Sequence, residues 1–178
     1  MIDVKTATTS IATLVVIGQV IALGLAYFLI KPKSRPAWFG RWALPAAFVV
    51  ALVSMAGSLY FSEVAKYNPC ELCWFQRILM YPLVAILAVA LVRKERLIAP
   101  YVMVLTAIGA VIAGYHYSLQ LGVSPLVPCS AAIGSCAAKQ TMTYGYITIP
   151  VMAATGFILI FEAMVVLWQD RRATSSPV

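Results

Sequence analysis

The stretch Asn68-Pro69-Cys70-Glu71-Leu72-Cys73-Trp74-Phe75-Gln76-Arg77 decides how the chain is read. It holds a Cys-x-x-Cys pair. A long apolar run, Ile78–Val92, broken only by Tyr81 and Pro82, follows directly. The pair therefore sits where water meets hydrocarbon, at the opening of a hydrophobic helix. Cys70, Cys73 and Arg77 are spaced i, i+3, i+7, so a helix starting near Cys70 carries all three on one face. Unpaired N–H groups and the helix dipole lower the pKa of a thiol at a helix N-terminus. Arg77, one turn deeper than Cys73, favours the thiolate further, and the thiolate is the attacking form in disulfide exchange. Arg77 also has a plainer reading, an interfacial arginine that snorkels to water.

Composition places this stretch in a membrane. The 178 residues are 62% hydrophobic and 11% charged, against about 25% charged in soluble domains. The apolar residues come in runs near the ~20 residues that cross a bilayer as helix. Five spans are expected: Ile11–Ile30, Trp42–Ser62, Cys73–Val92, Leu97–Leu121 and Tyr146–Trp168. The fold class is an all-α membrane protein, four core helices plus one extra N-terminal span. The chain divides into residues 1–41 (first span and basic loop), 42–168 (the bundle with the cysteines) and 169–178 (a polar tail). Gly18, Ala22 and Ala26 form one small-residue packing face, and Gly109/Ala113 and Ala110/Gly114 offer two more. Pro69 suits the first turn of the third span, where its missing N–H has no partner to lose.

The net charge of +7 does not signal nucleic acid, because no basic stripe with interleaved aromatics accompanies it. Nine of the 13 basic residues, Lys31, Lys33, Arg35, Arg41, Arg93, Lys94, Arg96, Arg171 and Arg172, fall on one side of the five-span topology. Lys5, Lys66, Arg77 and Lys139 fall on the other. The positive-inside bias puts the larger group in the cytoplasm, the N-terminus outside and the C-terminus inside. Reading the first span as a cleaved signal peptide would reverse that bias. Trp38 and Trp42 sit where interfacial anchors belong.

All four cysteines lie between positions 70 and 136, as two close pairs that both reach the external face. Cys70 and Cys73 open the third span; Cys129 and Cys136 lie in the long loop Gly122–Gly145. Paired thiols at a membrane surface point to redox or metal chemistry. A zinc site needs four ligands, or three and water. Cys129 and Cys136 complete a set of four, but at a wider spacing than the usual one, so redox is favoured and no metal is assigned. His116, the sole histidine, lies about five residues from the outer end of the fourth span, at ~1.5 Å per residue. It reads either as a functional intramembrane group or as a hydrogen-bonded interfacial side chain. Glu162, well inside the fifth span, reads as structural. Trp74, Phe75, Tyr115 and Tyr117 suit a ring-binding slot or interfacial anchoring equally.

Pro69-Cys70-Glu71-Leu72-Cys73 with Gln76-Arg77 resembles the signature of the bacterial disulfide bond formation protein B family, including its short BdbC-like members. The resemblance covers roughly Trp42–Trp168. It implies a four-helix bundle in the bacterial cytoplasmic membrane. It also implies oxidation of an extracytoplasmic thioredoxin-like partner (DsbA/BdbD-type), with electrons passed to a membrane quinone, menaquinone or ubiquinone. By resemblance, Cys129 forms the mixed disulfide with the partner and Cys136 exchanges with Cys70. Cys73 is the thiol beside the quinone, Arg77 stabilises the thiolate and the reduced quinone oxygen, and His116 is quinone-proximal. A partner with a potential of about −120 mV needs a final acceptor of higher potential, which a quinone supplies. Two features depart from the family pattern: the extra helix Ile11–Ile30, and the short Cys129–Cys136 spacing, which leaves the reach from Cys136 to Cys70 open. A vitamin K epoxide reductase-like enzyme is the rival redox reading, but there the Cys-x-x-Cys follows the loop cysteines. A non-enzymatic metal-binding membrane protein is the other alternative.

Overall fold

The computed structural model describes residues 4–31, 34–36, 38–125 and 135–175. Five long helices dominate: α1 (Val4–Ile30), α2 (Phe39–Leu59), α3 (Glu71–Arg93), α4 (Ala99–Gln120) and α5 (Ile149–Ser175). All five are long and apolar enough to cross a membrane. Successive pairs α2–α3, α3–α4 and α4–α5 pack together, and α5 returns to α2 to close a ring of four. α1 packs on the outer side of α5. The expected four-helix bundle with one added span is the architecture observed.

The helix ends differ from the expected spans for local reasons. α1 is already helical at Val4, well before the expected Ile11, and the hydroxyl side chains of these polar turns bond back into the helix. Thr8, Thr9, Ser10 and Thr13 donate to the carbonyls of Val4, Lys5, Thr6 and Thr9, at 2.8 to 3.0 Å. Such bonds give each hydroxyl a partner within the helix itself. α2 runs on into a π-helical turn, Tyr60–Val64. There Ala65 N–H reaches the carbonyl of Tyr60, and Tyr67 N–H that of Phe61, which stacks on the Tyr67 ring. Helix α3 begins one residue after Cys70, whose extended backbone (φ −77, ψ 174) makes it the N-cap. Pro69 thus stands before the cap rather than in the first turn. At the other end Lys94 takes the left-handed conformation (φ 54), and Glu95 N–H closes onto the carbonyl of Ala90. This is the C-terminal motif usually built on glycine. α5 continues as helix past Trp168 to Ser175.

α5 is the hub because small residues let its neighbours approach. A Cβ built on Gly109 of α4 would lie 2.4 Å from the Phe157 ring of α5, a side chain with no exposed surface. A Cβ on Gly156 would lie 2.7 Å from Ser54 Oγ on α2, and one on Gly18 would lie 3.1 Å from Leu159 Cδ1. The Gly109/Ala113 and Gly18 faces are therefore packing faces. Gly114 is not: a Cβ there meets nothing within 4 Å. Glu162 is buried, and its Oε2 has no hydrogen-bond partner among the described residues.

α1 also holds the connection that leads into α5. There Thr143 and Ile147 exchange both backbone hydrogen bonds at 2.9 Å around a turn with Tyr144 and Gly145 at positive φ. Tyr144 Oη pairs with Thr13 Oγ1 (2.9 Å), and Tyr146 Oη donates to Gln19 Oε1 (2.7 Å). At the opposite end of the bundle Arg35 pairs with Asp170 and donates to Gln169 Oε1.

The Gly109–Phe157 contact should be a size-sensitive point of the bundle. Gly109→Ala is expected to lower stability by about 1–3 kcal/mol, the usual cost of overpacking. Gly114→Ala should be close to neutral. Thermal unfolding of the two variants in the same detergent distinguishes them.

Candidate redox site

The site forms where the N-terminus of α3, the last turns of α4 and the segment after position 134 converge. Capping α3 with an extended residue turns the Cys70 side chain back toward the helix opening. Cys73, one turn on, then comes within 3.3 Å sulfur to sulfur, a hydrogen-bonded pair. Both carry free thiols. Cys70 is buried and Cys73 half-buried.

His116 projects from α4 onto this pair and is buried. Gln76 Nε2, from α3, donates to its Nδ1 at 3.0 Å. That bond fixes the tautomer, since an accepting Nδ1 leaves the ring proton on Nε2. Nε2–H then donates to the Cys136 carbonyl at 3.1 Å and faces Cys70 Sγ at 3.6 Å. One N–H therefore serves two cysteines from distant parts of the chain.

Cys136 is disulfide-bonded and shares a buried cluster with Cys70 and Leu119, against which Leu72, Cys73 and Tyr115 pack. Hydrogen bonds hold its segment over the helix ends. Besides the His116 bond, Gln120 Nε2 donates to the Ala138 carbonyl (3.3 Å), and Gln140 Nε2 donates to the Asn68 carbonyl. The cleft between these groups is lined by Cys70, Cys73, His116, Gln120, Ser135 and Gln140, among others, and its volume is about 10 Å³, room for about one water. Gln120 Oε1 is buried there without a partner among the described residues.

The thiol of Cys70 is held far below its ordinary value of 9.0, down to about 4. The hydrogen bond from the Cys73 thiol is the largest cause. Burial opposes it, and the His116 hydrogen bond adds to the lowering. The electropositive end of α3 acts in the same direction. Cys70 is thus the ready thiolate of the pair.

The structure brings together Cys70, Cys73, His116 and Cys136 but sets Arg77 apart. The Arg77 guanidinium turns toward α2, with Nε donating to Ser58 Oγ (3.0 Å) and Nη2 to the Ser58 carbonyl (3.1 Å). It also lies 5.4 Å from the Trp74 ring, and Tyr81 Oη donates to the same Ser58 Oγ at 3.1 Å. Arg77 is not among the residues lining the cleft. Of the aromatic candidates, Tyr115 packs on the cysteines while Trp74 and Phe75 are exposed. Cys129 lies outside the described residues. Sequence reading gave no role to Gln76, Ser58, Gln120 or Gln140. Their one signal is an amide or hydroxyl within an apolar helix or beside a cysteine.

Residues 40–168 match the family model described as disulfide bond formation protein DsbB. The chain belongs to the DsbB family. It is 47% identical over 126 residues to disulfide bond formation protein C of Bacillus subtilis, covering 70% of this chain and 91% of that one. It is 42% identical over 132 residues to probable disulfide formation protein C 1 of Bacillus cereus, covering 73% and 90%. With probable disulfide formation protein C of Halalkalibacterium halodurans it shares 38% over 141 residues, covering 78% and 98%. No solved structure matches. Membership brings a disulfide-forming, thiol-redox role in a multi-pass membrane protein. The matched region starts at Gly40, in the first turn of α2, so α1 lies outside it.

The lowered Cys70 pKa can be measured directly. Alkylation of Cys70 itself, followed on its own peptide in the reduced protein, should show an inflection near pH 4 and reach full rate by about pH 6. Removing His116 takes away a lowering influence, so His116→Ala should move the inflection upward. Cys73→Ala removes the larger one and should move it further. Mass-spectrometric rates of iodoacetamide labelling across pH provide the check.

Proposed function

We propose that this DsbB-family chain is a quinone-linked thiol oxidase. It restores the disulfide of an extracytoplasmic thioredoxin-like partner and feeds the electron pair to a membrane quinone. The observation that carries the reading is Cys136 and Cys70 in one buried cluster, bridged by the His116 Nε2–H. In this reading the cysteine end of the bundle faces outward and the basic end, with Arg35 and the Arg93–Arg96 turn, faces the cytoplasm.

The placement of Cys136 beside Cys70 supports a sequence of two exchanges. A reduced partner gives its two electrons to the Cys129–Cys136 disulfide, leaving two loop thiols. The Cys136 thiolate attacks Cys70 Sγ of an oxidised Cys70–Cys73 pair. The Cys136–Cys70 bond forms, the Cys70–Cys73 bond breaks, and Cys73 leaves as thiolate and takes a proton. The Cys129 thiolate then attacks Cys136, and Cys70 leaves. Its charge falls beside His116 Nε2–H and the Cys73 thiol, the two groups that hold its pKa down. Two electrons now reside on Cys70 and Cys73, with Cys70 as thiolate and a proton on Cys73, the state with Cys136 bonded and both cysteines of the pair free.

The residues near Cys73 fit a quinone by their donor chemistry. The Arg77 Nη1 is not committed to Ser58, unlike Nε and Nη2, and the exposed Trp74 ring lies beside the guanidinium. The cleft at His116 is too small for such a ring. Cys73 and Arg77, with the Trp74 face, are the residues that would hold the quinone. When bound it supplies a two-electron, two-proton acceptor of higher potential than the dithiol. Ser58 keeps the guanidinium oriented, and Gln76 keeps His116 in the tautomer that donates to sulfur.

The test is quinone reduction by the purified protein with a reduced dithiol partner, followed optically. Wild type should reduce one quinone per partner disulfide formed. Cys73→Ser should stop turnover while leaving the helical spectrum intact. Quinone-dependent turnover persisting in Cys73→Ser would contradict the assignment. Arg77→Leu should weaken quinone use at least tenfold and spare thiol exchange between partner and loop.

A further inference from the structure

Cys70 Sγ, Cys73 Sγ and a ring nitrogen of His116 lie within 4.8 Å of one another. We propose that the reduced dithiol is also a binding site for one thiophilic divalent cation of the Zn2+ or Cd2+ class. Its ligands are Cys70 Sγ, Cys73 Sγ and His116 Nε2, with the fourth position open to the cleft.

Two of the three separations are close to those a tetrahedral ion requires, and the third, Cys73 Sγ to the His116 ring, lies within 4.8 Å and must close up around it. With Zn–S of about 2.3 Å and Zn–N of about 2.0–2.1 Å, a sulfur–nitrogen edge is about 3.5–3.6 Å and a sulfur–sulfur edge about 3.8 Å. The Cys70 Sγ–His116 Nε2 distance is 3.6 Å, and the two sulfurs at 3.3 Å need to open only slightly. Three protein ligands with an open fourth position is the arrangement of a site that keeps a water. The cleft has space for about one water. Gln120 Oε1, buried and without a partner among the described residues, lines it. A metal-bound water donating to that oxygen would satisfy it.

The second ring nitrogen is also provided for. When Nε2 binds the ion its proton is lost from that atom, and Nδ1 carries the ring proton instead. Gln76, which now donates to Nδ1, turns its amide over and accepts from Nδ1–H. Ligated histidines are held by such a second bond. Any proton still on either sulfur leaves to solvent, no electron moves, and both sulfurs remain at the thiol level. The Cys70–Cys73 disulfide has no thiolate to offer, so the cation selects the reduced protein. While bound it prevents the pair from being oxidised.

This reading needs the dithiol but not the quinone, and its readout is independent of turnover. Full-length protein in detergent, with Cys129→Ser and Cys136→Ser to remove the other thiols, is reduced with a phosphine and titrated with Cd2+. The thiolate-to-cadmium charge-transfer band should saturate at one ion per chain, and Zn2+ should displace it. The form with a Cys70–Cys73 disulfide should bind none. His116→Ala should weaken binding at least tenfold, and Gln120→Leu, whose fold is checked by circular dichroism, several-fold. No band in the reduced protein, or affinity unchanged by His116→Ala, would overturn the three-ligand site. A fully active oxidase that ignores Cd2+ would refute this inference and leave the proposed function standing. A cation site in a protein without quinone turnover would do the reverse.

Discussion

A single imidazole N–H joins the two cysteine regions of this protein. His116 Nε2 faces the Cys70 sulfur and donates to the Cys136 carbonyl. That proton is on Nε2 only because Gln76 occupies Nδ1. Helices α3 and α4 must therefore pack closely enough, at their cysteine ends, for an amide on one to meet a ring on the other. A buried donor or acceptor without a partner costs about 1–3 kcal/mol. Gln76, His116 and Cys136 satisfy one another, so the segment after position 134 is tied to the helix ends by polar need as much as by apolar contact.

The bundle beneath serves this arrangement. α5 reaches its three neighbours through Gly109, Gly156 and Gly18, each taking a side chain that a larger residue would displace. In a lipid environment apolar surface alone does not draw helices together, and close contact of this kind does. Helix α1, outside the family match, packs on α5. Through Thr13 and Gln19 it also holds the tyrosines of the connection that follows Cys136. The added helix thus steadies the strand of chain running from the cysteine segment into α5.

Charge is divided around the third helix. The Cys70 thiolate is stabilised by Cys73 and His116, on the side facing α4. The Arg77 guanidinium is held on the opposite flank by Ser58 of α2. The thiolate and the guanidinium therefore lie on different faces of the same helix. Spacing alone implied one common face for both.

The sequence by itself determined the five spans, the two cysteine pairs and the position of Cys70 at a helix opening. Each follows from hydropathy, charge and the residues next in line, which are local properties. The helix ends moved where the apolar run was not the limit: α1 takes in polar turns whose hydroxyls bond back within the helix, and a π-helical turn extended α2. Of the small-residue faces, Gly109/Ala113 packs and Gly114 does not, because sequence shows the spacing but not which side meets a neighbour. The partners of His116 and Arg77 were decided only by tertiary structure. Gln76 lies 40 positions from His116 and Ser58 lies 19 from Arg77. No periodicity within one helix can encode which polar group on another helix will satisfy it. That choice is made by rotation and depth when the bundle closes, and the need to pair every polar group inside it selects the outcome.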